Sequence, residues 1–123
     1  MKATTVLVVD DHAGFRATAR RLLEGDGWTV VGEAGDAASA LTAIAALRPD
    51  VVLLDIGLPD LDGFGVAERL AEAMDGGPAV VLVSSRDRTA YGGRLAASPA
   101  IGFVAKDELD GPGLRALIAA APH

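Results

Sequence analysis

Four short apolar runs, each closed by a polar residue, restrict the fold of this chain more than any other feature. The runs are Val6 to Val9, Val51 to Leu54, Val80 to Val83 and Ile101 to Ala105, and the residues that close them are Asp10 with Asp11, Asp55, Ser84 and Lys106. Runs of this length, rich in valine and bounded by polar or turn residues, have the pattern of strands buried on both faces of a parallel sheet. The polar set therefore stands at strand ends. In an open parallel α/β sheet, ligands bind in the crevice outside the carboxyl ends of the strands. Three acids, a hydroxyl and an ammonium would meet there, which outlines a site for phosphoryl transfer.

Between the runs the pattern is helical. A segment from about His12 to Glu24 carries Phe15, Ala19, Leu22 and Leu23 at helical spacing and ends at Gly25-Asp26-Gly27. A further strand is expected over Trp28 to Glu33. Asp36 then has the chemistry of an N-cap for a helix with Leu41, Ile44 and Leu47, stopped by Pro49. Gly57 to Gly63 is rich in turn residues, and Phe64, Ala67, Leu70, Ala71 and Met74 line a third helix that Gly76-Gly77-Pro78 breaks. A weak helical stretch from Arg88 to Ala97 contains the tandem Gly92-Gly93, each glycine costing about 0.8–1 kcal/mol of helix propensity relative to alanine, so a short or frayed helix is expected. Pro112 opens a last helix with Leu114, Leu117, Ile118 and Ala121. The strand and helix alternate five times, a (βα)5 α/β chain whose right-handed crossovers give a doubly wound parallel sheet covered on both faces.

Bulk properties narrow the function. The 123 residues make one domain, and without cysteine there is neither a disulfide framework nor a thiolate metal site. The apolar stretches are short and interrupted by charge, which argues against a membrane span. Met1-Lys2-Ala3-Thr4-Thr5 leads straight into the first strand instead of a signal peptide, so a cytoplasmic location is expected. With 17 acidic against 11 basic residues the net charge is -6, and no basic cluster interleaved with aromatics is present, so DNA contact would need another domain.

The Asp10-Asp11 pair, Asp55, the loop Leu58-Pro59-Asp60-Leu61-Asp62-Gly63, Ser84 and Lys106, each in its place after successive strands, resemble a response-regulator receiver domain of the CheY type. The resemblance covers essentially residues 1–123 and implies a flavodoxin-like sheet of order 2-1-3-4-5. The string Asp10-Asp11-His12-Ala13-Gly14-Phe15-Arg16 is further similar to receivers of NarL/LuxR-type transcriptional regulators. The resemblance implies that Asp55 is the phosphoacceptor, served by a sensor histidine kinase. It also implies a phosphorylation-dependent homodimer, for which the alanine-rich last helix offers close approach, and DNA binding only through an output domain that this chain does not contain. The chain ends at Ala121-Pro122-His123, either as a single-domain regulator or as a receiver cut from a longer transcription factor.

Three carboxylates in one crevice repel each other unless one is protonated or a cation neutralises them. A hard divalent ion with oxygen ligands suits such a set, and Mg2+ is expected, with Asp11 and Asp55 as direct ligands and Asp10 acting through water. The family adds the backbone carbonyl at the position of Gly57. A carboxylate such as Asp55 can accept a phosphoryl group as an acyl phosphate. Lys106 would pair with one phosphoryl oxygen and the Ser84 hydroxyl with another, spreading charge in the transition state. Phe103, three residues before Lys106, matches the family's switch aromatic, filling the space that Ser84 leaves when it moves inward. Such a domain is a phosphoacceptor that assists its own phosphorylation and dephosphorylation, not a turnover enzyme.

Each residue has a plainer reading in isolation. An acid pair after a strand is usually a loop or a helix cap, a lysine there is usually surface, and Phe103 is one more apolar strand residue. Asp60 and Asp62 superficially resemble a calcium loop but lack its closing Glu. His12 is read as structural, and His123 as a disordered terminal residue. The chain departs from the family where many receivers carry Lys-Pro: here it is Lys106-Asp107, for which a trans bond is expected. Gly57 and Arg86 occupy the positions that tune access of water to the phosphoryl group. Two alternatives compete. A haloacid-dehalogenase-type phosphatase needs an Asp-x-Asp that Val9-Asp10-Asp11 does not supply, and an atypical receiver would act as a phosphorylation-independent protein-interaction module.

Overall fold

A computed structural model describes residues 4–73 and 77–120 of the chain. Met74, Gly76, Ala121 and His123, to which the sequence assigned roles, lie outside the described residues, as does the segment 1–3. The elements are β1 (Thr5–Val9), α1 (Ala13–Gly25), β2 (Thr29–Ala34), α2 (Ala37–Leu47), β3 (Val51–Asp55), α3 (Gly63–Ala73), β4 (Ala79–Ser84), α4 (Arg94–Ala97), β5 (Gly102–Ala105) and α5 (Gly111–Ala120). Two single 3-10 turns stand at Arg88–Ala90 and Lys106–Glu108. The sheet is parallel with order β2-β1-β3-β4-β5, as the alternation and the resemblance imply.

Strand periodicity divides the core in two. Val6, Val8, Val51, Leu53, Val81 and Val83 face α1 and α5, where Ala19, Leu23 and Leu114 are buried. Leu7, Val9, Val52, Leu54, Val80 and Leu82 face the opposite way, against Ile44 of α2 and Phe64, Val66 and Leu70 of α3. Leu7, Leu53 and Leu54 are fully buried, each stabilising the fold by about 1.5–3 kcal/mol relative to an exposed side chain. These runs have no polar residue because neither face meets water.

The helical faces are narrower than the sequence pattern implied. In α1 the inward line is the partly buried Phe15 with the buried Ala19 and Leu23 at i, i+4 and i+8, while Leu22 turns outward and is 44% exposed. In α2 the line is Ala37, Ala40 and Ile44, and Leu47 is 46% exposed. A helix laid on a sheet buries one stripe, and Leu22, one position before Leu23, falls off that of α1, whereas Leu47 is the last residue of α2. Ala71 of α3 is likewise exposed, whereas Val66 is buried. Strand β2 begins one residue later than expected, because the Trp28 N–H closes the end of α1 on Leu23 O (3.0 Å) and its ring packs under the sheet.

Register brings the site together. Val9 pairs with Leu54, Asp55 with Val83, and Ser84 with Ala105, so the residues that follow β1, β3, β4 and β5 reach one edge. Gly63 lets the start of α3 close on that edge: a Cβ there would stand 2.6 Å from Asp55 O and 2.9 Å from Ile56 Cα, a clash with backbone that only glycine avoids. The opposite side is looser. Helix α4 has four residues, and before it the chain runs through a 3-10 turn and Gly92, whose φ of 53° lies in the left-handed region. The tandem glycines thus shorten this helix as expected.

Candidate functional site

Asp10, Asp11, Asp55 and Lys106 meet at the carboxyl edge of the sheet, and His12 joins them. Asp10 is fully buried, its N–H held by Ala34 O at 3.0 Å and its own backbone oxygen accepting from Arg16 Nη1 at 2.6 Å. Its Oδ1 accepts the His12 backbone N–H at 2.7 Å. Lys106 Nζ lies 2.5 Å from Asp10 Oδ2, an oxygen that accepts no well-angled hydrogen bond among the described residues. Charge alone therefore compensates that atom. The same ammonium is 3.6 Å from Asp55 Oδ2 and 4.7 Å above the Phe15 ring, and its side chain is only 15% exposed. The Lys106–Asp107 bond is trans, as no cis bond occurs among the described residues.

Asp55 is buried at the end of β3, with Oδ1 accepting from Gly57 N–H at 3.2 Å. Asp11 stands at the opening, 34% exposed, with Oδ1 3.0 Å from His12 Nδ1. Burial pushes the Asp55 carboxyl above its ordinary range, the Asp10 charge and more weakly that of Asp11 add to this, and the Gly57 N–H and Lys106 work against it. A carboxyl raised on folding stabilises the fold while protonated, and this contribution is lost as pH climbs from its ordinary 3.8 through the raised value. In metal-free buffer, stability from this group is therefore expected to fall with rising pH across that acid window. Urea denaturation of wild type and Asp55→Asn across pH should find the two similar below that window and the variant the more stable above it, and a wild type that gains stability from Asp55 on ionisation would contradict this expectation.

Ser84 ends β4, buried, with its Oγ accepting from Arg86 N–H at 3.0 Å and sharing a 2.5 Å hydrogen bond with the Tyr91 hydroxyl. Phe103 is buried in the same cluster as Phe64, with the Tyr91 ring against both. The site's outer loop is braced by its acids. Asp60 accepts the N–H groups of Ala37 and Ala38 at 2.8 and 3.0 Å, which hold its carboxyl below the ordinary range. Asp62 accepts from Gly65 N–H at 2.9 Å and pairs with Arg94 at 3.0 Å. Both acids serve helix starts, consistent with giving a calcium-loop reading little weight.

Sequence reasoning expected Asp10, Asp11, Asp55, Lys106 and the Ser84 hydroxyl to meet in one crevice; the structure brings the three acids and Lys106 together, while Ser84, on the adjoining strand, bonds Tyr91 and Arg86 instead. It missed His12 within the acidic group and Tyr91 against Ser84. The signal for His12 was its position directly after two acids, before a helix that its side chain does not cap. For Tyr91 no local signal existed, because the contact depends on how the chain turns after β4.

The fold and this edge define a doubly wound α/β domain of the flavodoxin-like kind, with an acidic crevice and a largely covered lysine. The response regulator receiver domain family matches residues 6–119, and the chain belongs to that family, whose members are the receivers of two-component systems. It is 39% identical over 103 residues to a putative transcriptional regulator of Pseudomonas aeruginosa, covering 84% of this chain and 49% of that protein. It is 45% identical over 107 residues to protein-glutamate methylesterase/protein-glutamine glutaminase 6 of Anaeromyxobacter dehalogenans, covering 86% of this chain and 30% of that one. The signal receiver domain of the putative response regulator NarL of Mycobacterium tuberculosis superposes with a TM-score of 0.85 at 35% identity, covering 97% of this chain and 96% of that one. The chain thus spans half or less of the length of these two curated relatives. Among the described residues no helix is long and apolar enough to cross a membrane.

Proposed function

We propose that Asp55 accepts a phosphoryl group from a sensor histidine kinase and that the domain answers by changing its surface around α4 and β5. The observation that carries this reading is the buried Asp55 carboxylate with Asp10 and Lys106 converging on it. An Asp55 oxygen attacks phosphorus, the bond from phosphorus to the donor's imidazole nitrogen breaks, and the imidazole leaves with the electron pair. Lys106 lies close enough to Asp55 to follow one phosphoryl oxygen, and Ser84, on the neighbouring strand, would reach another once its hydroxyl leaves its present partners. The domain assists this transfer and its reversal by water without turning over an independent substrate. Labelling of the protein by acetyl phosphate, with and without Mg2+, tests the reading. Mg2+-dependent incorporation of one phosphoryl group is expected, whereas no incorporation under either condition would favour the phosphorylation-independent interaction module.

The donor set fits a hard divalent cation. Asp10, Asp11, His12 and Asp55 each offer a ligand atom, and these atoms lie within 4.8 Å of one another. Asp11 and Asp55 are proposed to hold Mg2+ directly with the Gly57 carbonyl. Asp10, with one oxygen on the His12 N–H and the other on Lys106, acts through water. When bound, the ion offsets the negative charge of the crevice and of the incoming phosphoryl group. Asp11→Ala is expected to weaken Mg2+ binding without unfolding the domain, since one acid fewer also relieves repulsion. Unchanged affinity in a calorimetric titration would move the ligand role to Asp10.

The partners proposed are the kinase and, once phosphorylated, a second copy meeting the exposed Ala116, Ala119 and Ala120 of α5. Sedimentation should show a monomer that dimerises on addition of beryllofluoride and Mg2+; a monomer under both conditions counts against this contact. Contact with DNA is proposed only through a separate output domain, and a cytoplasmic location follows from the kinase.

A further inference from the structure

The hydroxyl of Ser84 bonds none of the acids among the described residues and is engaged instead by a residue to which nothing above gives a role. Its Oγ carries one proton and two lone pairs. The Arg86 N–H fills one lone pair at 3.0 Å, and the Tyr91 hydroxyl lies 2.5 Å away. Both partners follow Ser84 in the chain, on the side of α4, and Asp55 is not among its hydrogen-bond partners. The Tyr91 ring is itself fixed. It meets Phe64 edge-on with centroids 5.7 Å apart and Phe103 at 6.0 Å, within the core cluster of α2 and α3. Its backbone closes the 3-10 turn onto Arg88 O at 3.2 Å, and Gly92 then reverses the chain at φ 53°. A ring held by two aromatics presents its oxygen at a set place, and the Ser84 hydroxyl is drawn to it.

We propose that Tyr91 is a positioning residue that holds the Ser84 hydroxyl on the α4 side and competes for it with a phosphoryl group on Asp55. The inference rests on Asp55 being the phosphoacceptor. For Ser84 to bond a phosphoryl oxygen it must turn from Tyr91, which frees the phenol and loosens the turn from Arg88 to Gly92. This route to α4 runs through a hydroxyl pair, beside the Phe103 ring that packs on Tyr91.

Affinity for beryllofluoride in the presence of Mg2+, measured by calorimetry for wild type, Tyr91→Phe, Ser84→Ala and the double variant, tests it. Phenylalanine keeps the ring and its packing and removes only the competing oxygen. A net hydrogen bond of ordinary strength predicts that Tyr91→Phe binds about two- to tenfold more tightly. In the Ser84→Ala background the same change should have no effect, which a purely structural role for the ring would not produce. Tyr91 is the only tyrosine in the chain, so 3-fluorotyrosine gives one 19F resonance from the site. That resonance is expected to move on Ser84→Ala, and on addition of beryllofluoride and Mg2+ to wild type. Equal or weaker binding by Tyr91→Phe, or a resonance that ignores Ser84→Ala, overturns the inference while leaving Asp55 in its role. A wild type that fails to bind beryllofluoride removes the phosphoacceptor reading and the inference with it.

Discussion

Asp55→Asn is expected to bring Mg2+-dependent labelling by acetyl phosphate below detection while leaving the fold intact. The amide is nearly isosteric with the carboxylate and can still accept the Gly57 N–H, so the end of β3 keeps its geometry. What it lacks is the anionic oxygen that forms the acyl phosphate. The other two acids are poor substitutes. Asp10 is fully buried and has both oxygens engaged, by the His12 N–H and by Lys106, and Asp11 sits at the opening beside His12. Intact-mass and peptide mass spectrometry of the labelled variant read the outcome directly. Undiminished labelling would falsify the assignment, and a phosphoryl group found on Asp11 would name the true acceptor.

Lys106→Ala should have the largest effect on stability. Asp10 Oδ2 has no well-angled hydrogen bond among the described residues and lies 2.5 Å from the ammonium, so the ion pair is its compensation. Removing one partner of a buried pair leaves an unpaired charge, at a cost of about 3–5 kcal/mol. For a domain whose total stability is about 5–15 kcal/mol this is a large share. Urea denaturation at neutral pH in metal-free buffer should show the loss, and Asp10→Asn in the same background should recover much of it by removing the stranded charge. A Lys106→Ala variant as stable as wild type would show that Asp10 is compensated in another way. Failure of Asp10→Asn to rescue would place the cost in the lost packing of the lysine stem against Phe15.

Legibility in the sequence followed the range of the interactions involved. Strands β1, β3 and β4 were readable because each is buried on both faces, which forces an uninterrupted apolar run. The acids and Lys106 were readable because each directly follows such a run, so strand register alone carries them to one edge. The outward turn of Leu22 and Leu47 was not, since a leucine at helical spacing is the same letter whether it meets the sheet or water. Long-range hydrogen bonds were equally hidden. Asp60 reads as a turn residue, yet it serves α2, an element 23 positions away, and nothing near it in the chain says so. Tyr91 reaches Ser84 only because the chain bends at Arg88–Ala90 and again at Gly92, and two adjacent glycines signal a weak helix without saying where the preceding ring will point.

The contrast between Gly63 and Gly92 sets the mechanical character of the crevice. On one wall the backbone of α3 abuts the carbonyl of Asp55 with no room for a methyl group, and the Asp60 carboxylate clamps the outer loop to the amides that begin α2. That wall is stiff. On the other wall Gly92 and Gly93 have open space where a Cβ would stand, and α4 is a single turn. Work done at the junction of two walls displaces the more compliant one, so a charge added at Asp55, as proposed above, is expected to be carried toward β4, α4 and β5, with α2 and α3 as the anvil. A partner that reads this domain's state by touching only α2 would find a surface that barely registers it.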